Sequence, residues 1–243
     1  MDCLLSDRKN AFFKGAQQSI PLIVAAIPFG IIYGALAQTV GLSNWTIMAM
    51  SIFVFAGSSQ FIAIGLIAAG ASLPIIILTT FFVNIRHMLY AANLLPYVKH
   101  FSQKIRVPMA FLLTDETFAV VSNYARQNPK APHFAWFYFG SALFMYTNWL
   151  ICTVIGIYLS QAVPNMADWG LDVAMAVAFI GIVVPSLHNK PTVVCALTAA
   201  ALSIVTFHWP NKTGLLFSAV CGILLAMYLE TKREQPNLEE VSS

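Results

Sequence analysis

Three short polar clusters interrupt long apolar runs in this sequence, and each carries groups able to hold a small polar molecule. The first is Phe55-Ala56-Gly57-Ser58-Ser59-Gln60-Phe61. Glycine favours local unwinding, while the hydroxyls and the amide can bind a ligand or cap carbonyls freed by a break. Taken singly, Ser58 or Ser59 reads as a hydroxyl bonded to its own helix; with Gly57 and Gln60 beside them the cluster reads as a discontinuous-helix binding site. The second cluster is Asn84-Ile85-Arg86-His87, with Tyr90 one turn after Arg86. The third is Thr114-Asp115-Glu116-Thr117. Adjacent helix positions project about 100° apart, so Asp115 and Glu116 cannot serve one face equally.

The surroundings of these clusters decide what they cost. Of 243 residues only thirteen are Lys or Arg and ten are Asp or Glu, 9% in all, against roughly 25% in an ordinary soluble domain. Five charges fall in residues 1–14 and six in 230–243, leaving twelve across the 215 between. A soluble surface cannot be covered with so few. The chain therefore reads as an all-α polytopic membrane protein, which excludes a soluble enzyme or a nucleic-acid binder. The four cysteines have no metal or CxxC spacing and read as small packing residues. No signal peptide, nucleotide loop or metal motif is present, and no cofactor is expected.

Eight apolar stretches position the clusters: 19–38, 45–69, 74–95, 108–125, 133–160, 171–187, 192–207 and 213–229. A helix crosses the hydrocarbon core with about 17–25 residues. The expectation is seven or eight crossings, some helices being broken or re-entrant. Residues 1–18 read as a cytoplasmic amphipathic segment, 19–230 as one transmembrane transport domain, and 231–243 as an irregular, polar cytoplasmic tail. Arg8, Lys9 and Lys14 place the N-terminus inside, and Lys232 with Arg233 place the C-terminus there. With eight full spans, however, Lys99, Lys104 and Arg106 would lie outside. Making 45–69 and 108–125 re-entrant removes that conflict and leaves every other loop on its side. A faint inverted repeat sets Phe55–Phe61 against Phe179–Pro185, which contains Gly181 and Pro185. Pro28, Gly30 and Gly34 mark a further irregularity or kink in the first stretch.

An ion at mid-membrane costs about 2.5–3.5 kcal/mol on insertion scales, so such residues face partners or cavities. Counted from the 96–107 connection, Arg86 and Asp115 lie at depths of roughly 15 and 12 Å if their segments form an antiparallel hairpin. Arg86 is thus expected to pair with Asp115 or Glu116. One carboxylate is left over, able to carry a proton or meet an amine. His87, beside Arg86, is the histidine placed for proton handling; His100, His133, His188 and His208 lie at segment ends. Trp149, with Asn148, lies deeper than the other tryptophans and suits a cavity wall.

These motifs resemble the AzlC family of branched-chain amino-acid permeases. The resemblance is carried by Ile27-Pro28-Phe29-Gly30, Phe55–Phe61, Asn84–His87 and Leu113-Thr114-Asp115-Glu116-Thr117-Phe118. It implies a subunit of an inner-membrane exporter for valine, leucine, isoleucine and sometimes methionine, with a small hydrophobic AzlD-type partner. A zwitterionic substrate needs places for carboxylate, amine and apolar side chain. Gly57, Ser58, Ser59, Gln60 and Asn84 supply donors and acceptors, Phe55 and Phe61 shape a pocket, and Arg86, His87, Asp115 and Glu116 handle charge and proton coupling. A passive channel for small zwitterions is the alternative. An intramembrane enzyme would need Ser58 or Ser59 to work with His87.

Overall fold

The computed structural model describes residues 2–129, 131–162, 180, 184, 187, 190–209 and 213–241. Among them the elements are helices joined by short connections, with no strand. The chain divides into two compact units. One comprises Met1–Ile64 and Thr80–Met175, the other Gly65–Thr79 and Ala176–Ser243.

The first unit is built on α1 (Asp2–Thr39) and α8 (Phe134–Ala162). They run parallel: Gly15 meets Phe137, Gly30 meets Cys152 and Gly34 meets Gly156. A Cβ added at Gly34 would lie 2.3 Å from Thr153 O, and one at Gly156 would lie 2.2 Å from Ile31 O. The Ser19 and Ser141 hydroxyls lie 2.6 Å apart across the same seam. Lipid tails are as apolar as leucine, so membrane helices associate through tight small-residue packing and polar contacts instead of apolar burial. The glycines of the first stretch therefore serve close packing, and α1 continues through Pro21 and Pro28. The basic N-terminal segment and the first apolar stretch form one helix.

The second stretch is divided. Ser43 caps α2 (Asn44–Ala49), accepting from the Thr46 N–H, and a π-helical turn follows over Met50–Val54. The chain then breaks at Phe55–Ala56, and α3 (Gly57–Ala68) begins. α2 starts beside the end of α8, where Gln161 Nε2 donates to Asn44 Oδ1 at 3.2 Å. It reaches mid-α8 where the Phe55 ring meets Tyr146 edge-on, 4.8 Å between centroids. The start of α3 turns back: Gln60 is level with Trp149, and Phe61 lies 6.1 Å from the Tyr33 ring.

The fourth stretch mirrors this from the opposite end. α4 (Leu73–Asn84) and α5 (Arg86–Val98) are interrupted only at Ile85. α6 (Gln103–Phe111) then climbs until Phe111 is 6.2 Å from Tyr146, and α7 (Asp115–Gln127) descends until Tyr124 stacks on Phe137 at 3.7 Å. Tyr97, near the end of α5, lies 6.2 Å from Phe134 at the start of α8. α6 therefore runs antiparallel to α5, the hairpin that brings Asp115 to the level of Arg86, and α7 turns back to run parallel to α5. Among the described residues three helices, Asp7–Thr39, Leu73–Val98 and Phe134–Ala162, are long and apolar enough to cross a membrane.

In the second unit α9 (Lys190–Val205) and α10 (Thr213–Val241) form an antiparallel pair. Gly214 packs on Thr206 and Gly222 on Cys195. α10 continues as backbone helix to Val241, where an irregular tail was expected; Glu, Lys, Arg and Gln, frequent after residue 229, are good helix formers. The stretch 171–187, with Gly181 and Pro185 of the faint repeat, lies largely outside the described residues, as does His188.

Candidate functional site

The two returning hairpins and the interruption at Ile85 meet at one level of the first unit. Thr114 caps α7, its hydroxyl accepting from the Thr117 N–H at 3.3 Å, so Asp115 and Glu116 occupy the first turn. Carboxylates at a helix N-terminus oppose the positive end of its dipole. α3 begins at Gly57, and the first N–H groups of a helix have no partner within it. Two half-helix N-termini thus converge on Arg86.

Arg86 Nη2 lies 2.9 Å from Asp115 Oδ2 and also donates to Ser58 Oγ. The Arg86 and Asp115 side chains are 28% and 39% exposed, yet Arg86 Nε and Asp115 Oδ1 are buried without a hydrogen-bond partner. The pair consequently retains one donor and one acceptor for a further group. Ser59 Oγ donates to Asn84 Oδ1 at 2.7 Å, tying α3 to α4. One turn below, Tyr90 and Phe118 stack at 4.4 Å and form an aromatic wall beside the charges. His87 Nδ1 lies 3.1 Å from Asn84 O in its own turn. The serines are thus directed at Arg86 and Asn84, an arrangement that does not build a nucleophile–base pair with His87.

Gln60 is 0% exposed and faces the opposite side of α3. Trp149 donates its indole N–H to Gln60 Oε1 at 3.0 Å, and Gln60 Nε2 donates to Ser51 Oγ at 3.0 Å. Ser51 lies 2.9 Å from Thr153 Oγ1, which donates to Trp149 O at 2.8 Å. This ring of contacts fixes the amide orientation and closes the hairpin onto α8. Phe61 is buried against Tyr33 on that same side. Of the residues singled out in the sequence, the structure groups Ser58, Ser59, Asn84, Arg86 and Asp115. Glu116 follows Asp115 in the same first turn, whereas Gln60 and Phe61 face α1 and α8.

The break itself sits at Phe55–Ala56, two residues ahead of Gly57, the residue whose flexibility favoured unwinding there. Phe55, with φ 43° and ψ 46°, takes the left-handed conformation, and its N–H bonds Met50 O. That conformation is an outlier for an aromatic residue and costs of order 1–3 kcal/mol unless the surroundings impose it. Here the buried ring is held against Tyr146. Gly57 serves a different need, because a Cβ there would lie 2.9 Å from the Trp149 ring. Ser51, Thr153 and Phe118 also belong to the arrangement. For Ser51 and Thr153 an isolated hydroxyl in an apolar helix was the only signal, and that signal is shared by hydroxyls bonded to their own backbone.

A family model described as "AzlC protein" matches residues 21–163. The chain is 30% identical over 223 residues to the Escherichia coli "Inner membrane protein YgaZ", covering 89% of each. It is 32% identical over 225 residues to an uncharacterized membrane protein of Archaeoglobus fulgidus, covering 90% of this chain and 95% of the relative. It is also 27% identical over 214 residues to the Bacillus subtilis "Branched-chain amino acid transport protein AzlC", covering 88% of this chain and 83% of the relative. No solved structure matches. With the family model covering more than half the sequence and its relatives aligned along most of it, this polytopic helical membrane protein belongs to the AzlC family.

Proposed function

We propose that the protein is the larger subunit of a secondary active exporter for branched-chain amino acids, valine, leucine and isoleucine, with methionine as a further substrate. The observation that carries this reading is the Arg86–Asp115 pair, with Arg86 Nε and Asp115 Oδ1 left unpartnered between two half-helix N-termini. Discontinuous helices present such positive ends to substrate carboxylates in many transporters. The substrate carboxylate takes Arg86 and the N–H groups of Gly57, Ser58 and Ser59. Its ammonium takes Asp115, and its side chain lies against Phe55, Tyr90 and Phe118. Gln60 and Phe61 anchor α3 from behind. The similarity to a branched-chain amino acid transport protein supports this substrate class.

Alternating access then moves the hairpins against α1 and α8, with the internal ion pair standing in for the zwitterion when the site is empty. Glu116, next to Asp115, is the proton carrier for antiport, with His87 nearby. Both termini face the cytoplasm of a bacterial inner membrane. In that topology Lys14, Lys99, Lys104, Arg106 and Arg126 share the cytoplasmic end, because Lys14 lies 5.3 Å from the Tyr124 ring and the two hairpins return. A small hydrophobic AzlD-type subunit completes the exporter.

The test is efflux of labelled valine from proteoliposomes, with and without the small subunit, across an imposed pH gradient at zero membrane potential. Concentrative, gradient-dependent export is expected. Flux that only runs down the valine gradient identifies a passive pore, and no valine flux with the partner present overturns the substrate class.

A further inference from the structure

At the end of the first unit that gathers basic residues, α5 and α6 are separated by a cavity of about 300 Å³. Buried Leu94, Met109 and Leu113 form its floor, and Gln103 and Arg106 line it from the first turns of α6. Arg106 Nε is buried and has no hydrogen-bond partner. Lys99 and Lys104 precede Arg106 in the chain, and no acidic residue occurs between 99 and 114. The cavity therefore offers an apolar slot with a cation at its head. It has no carboxylate to meet an ammonium group, so it does not suit a zwitterionic amino acid. Its volume falls at the low end of the roughly 300–1,000 Å³ typical of small-ligand sites, too small for a whole phospholipid but fitting part of one chain.

We infer that this slot holds an acyl chain of an anionic phospholipid, whose headgroup is paired with Arg106. Basic pockets between membrane helices on the cytoplasmic side attract anionic headgroups, and the leaflet there is negatively charged. The site lies under the hairpin that carries Asp115, since Leu113 of its floor directly precedes the α7 cap Thr114. The inference is independent of the transported substrate.

Native mass spectrometry of the full chain, released from nanodiscs of phosphatidylglycerol or of phosphatidylcholine, tests it. The parent is expected to retain phosphatidylglycerol preferentially. Arg106→Gln should reduce that preference about fivefold, the usual worth of one basic residue at an anionic surface. Ala110→Trp, which fills the slot, should abolish retention of either lipid and remains informative if Arg106→Gln does not fold. Lys104→Gln, outside the cavity, should change retention little. Equal retention of both lipids by the parent would overturn the inference. So would unchanged retention in Ala110→Trp, an effect of Lys104→Gln as large as that of Arg106→Gln, or displacement of the lipid by millimolar inorganic phosphate alone.

Discussion

Trp149 and Gln60 are 89 residues apart in the chain, yet the indole N–H of one bonds the amide oxygen of the other at 3.0 Å. This contact locks the returning α3 onto the helix that packs along α1, so the position of Ser58 and Ser59 against Arg86 depends on it. Trp149→Phe leaves Gln60 Oε1 buried without a donor, which costs about 1–3 kcal/mol. A lower melting temperature in detergent is expected, and adding Gln60→Met should recover most of the loss. A parent-like melting temperature for Trp149→Phe would show that the ring does not hold the hairpin.

Arg86 and Asp115 form the pair on which transport is argued to depend. Removing one partner of a buried ion pair typically costs about 3–5 kcal/mol, because the other is stranded. Partial exposure of this pair places the expected cost below that range. Arg86→Ala and Asp115→Asn should each abolish efflux, and Arg86→Met with Asp115→Asn should fold and remain inactive. If that double variant exports valine like the parent, the pair is structural only.

The small-residue seam between α1 and α8 gives a stability prediction independent of transport. A methyl group at Gly34 or Gly156 would meet backbone oxygens 2.3 and 2.2 Å away. Overpacking of this kind costs about 1–3 kcal/mol. Gly34→Ala and Gly156→Ala should therefore lower the melting temperature by several degrees. Calorimetry giving parent-like values for both would mean the helices are less closely apposed than described.

Labelling of single cysteines, in a background lacking the native four, checks the returning hairpins. Ser102→Cys and Asn128→Cys should react from the same side of the membrane as Asp7→Cys, and Ser43→Cys from the other. Reaction of Ser102→Cys from the side of Ser43→Cys would mean that stretches two and four cross fully.

Composition and charge placement were enough to establish a helical membrane protein, because few charges cannot solvate a surface of this size. The three polar clusters were equally legible, since Arg86, Asp115 and Gln60 carry a large desolvation cost in apolar runs whatever their neighbours. Their approximate depths also followed from helix rise, which is local. What the sequence left open was whether stretches two and four cross fully or return. The residue count from the 96–107 connection sets Asp115 level with Arg86 in either case, and only the reversal at residues 112–114 makes α7 parallel to α5. The break was misplaced by two residues: Gly57 looked like the unwound position, but the nearby Trp149 ring requires the missing Cβ there, and Phe55 takes the left-handed turn. Gln60 looked available to a ligand until Trp149 and Ser51 occupied both ends of its amide. Residue chemistry is a property of the chain, whereas the partner that meets each group depends on long-range packing, which in this protein is set by small residues distant in sequence.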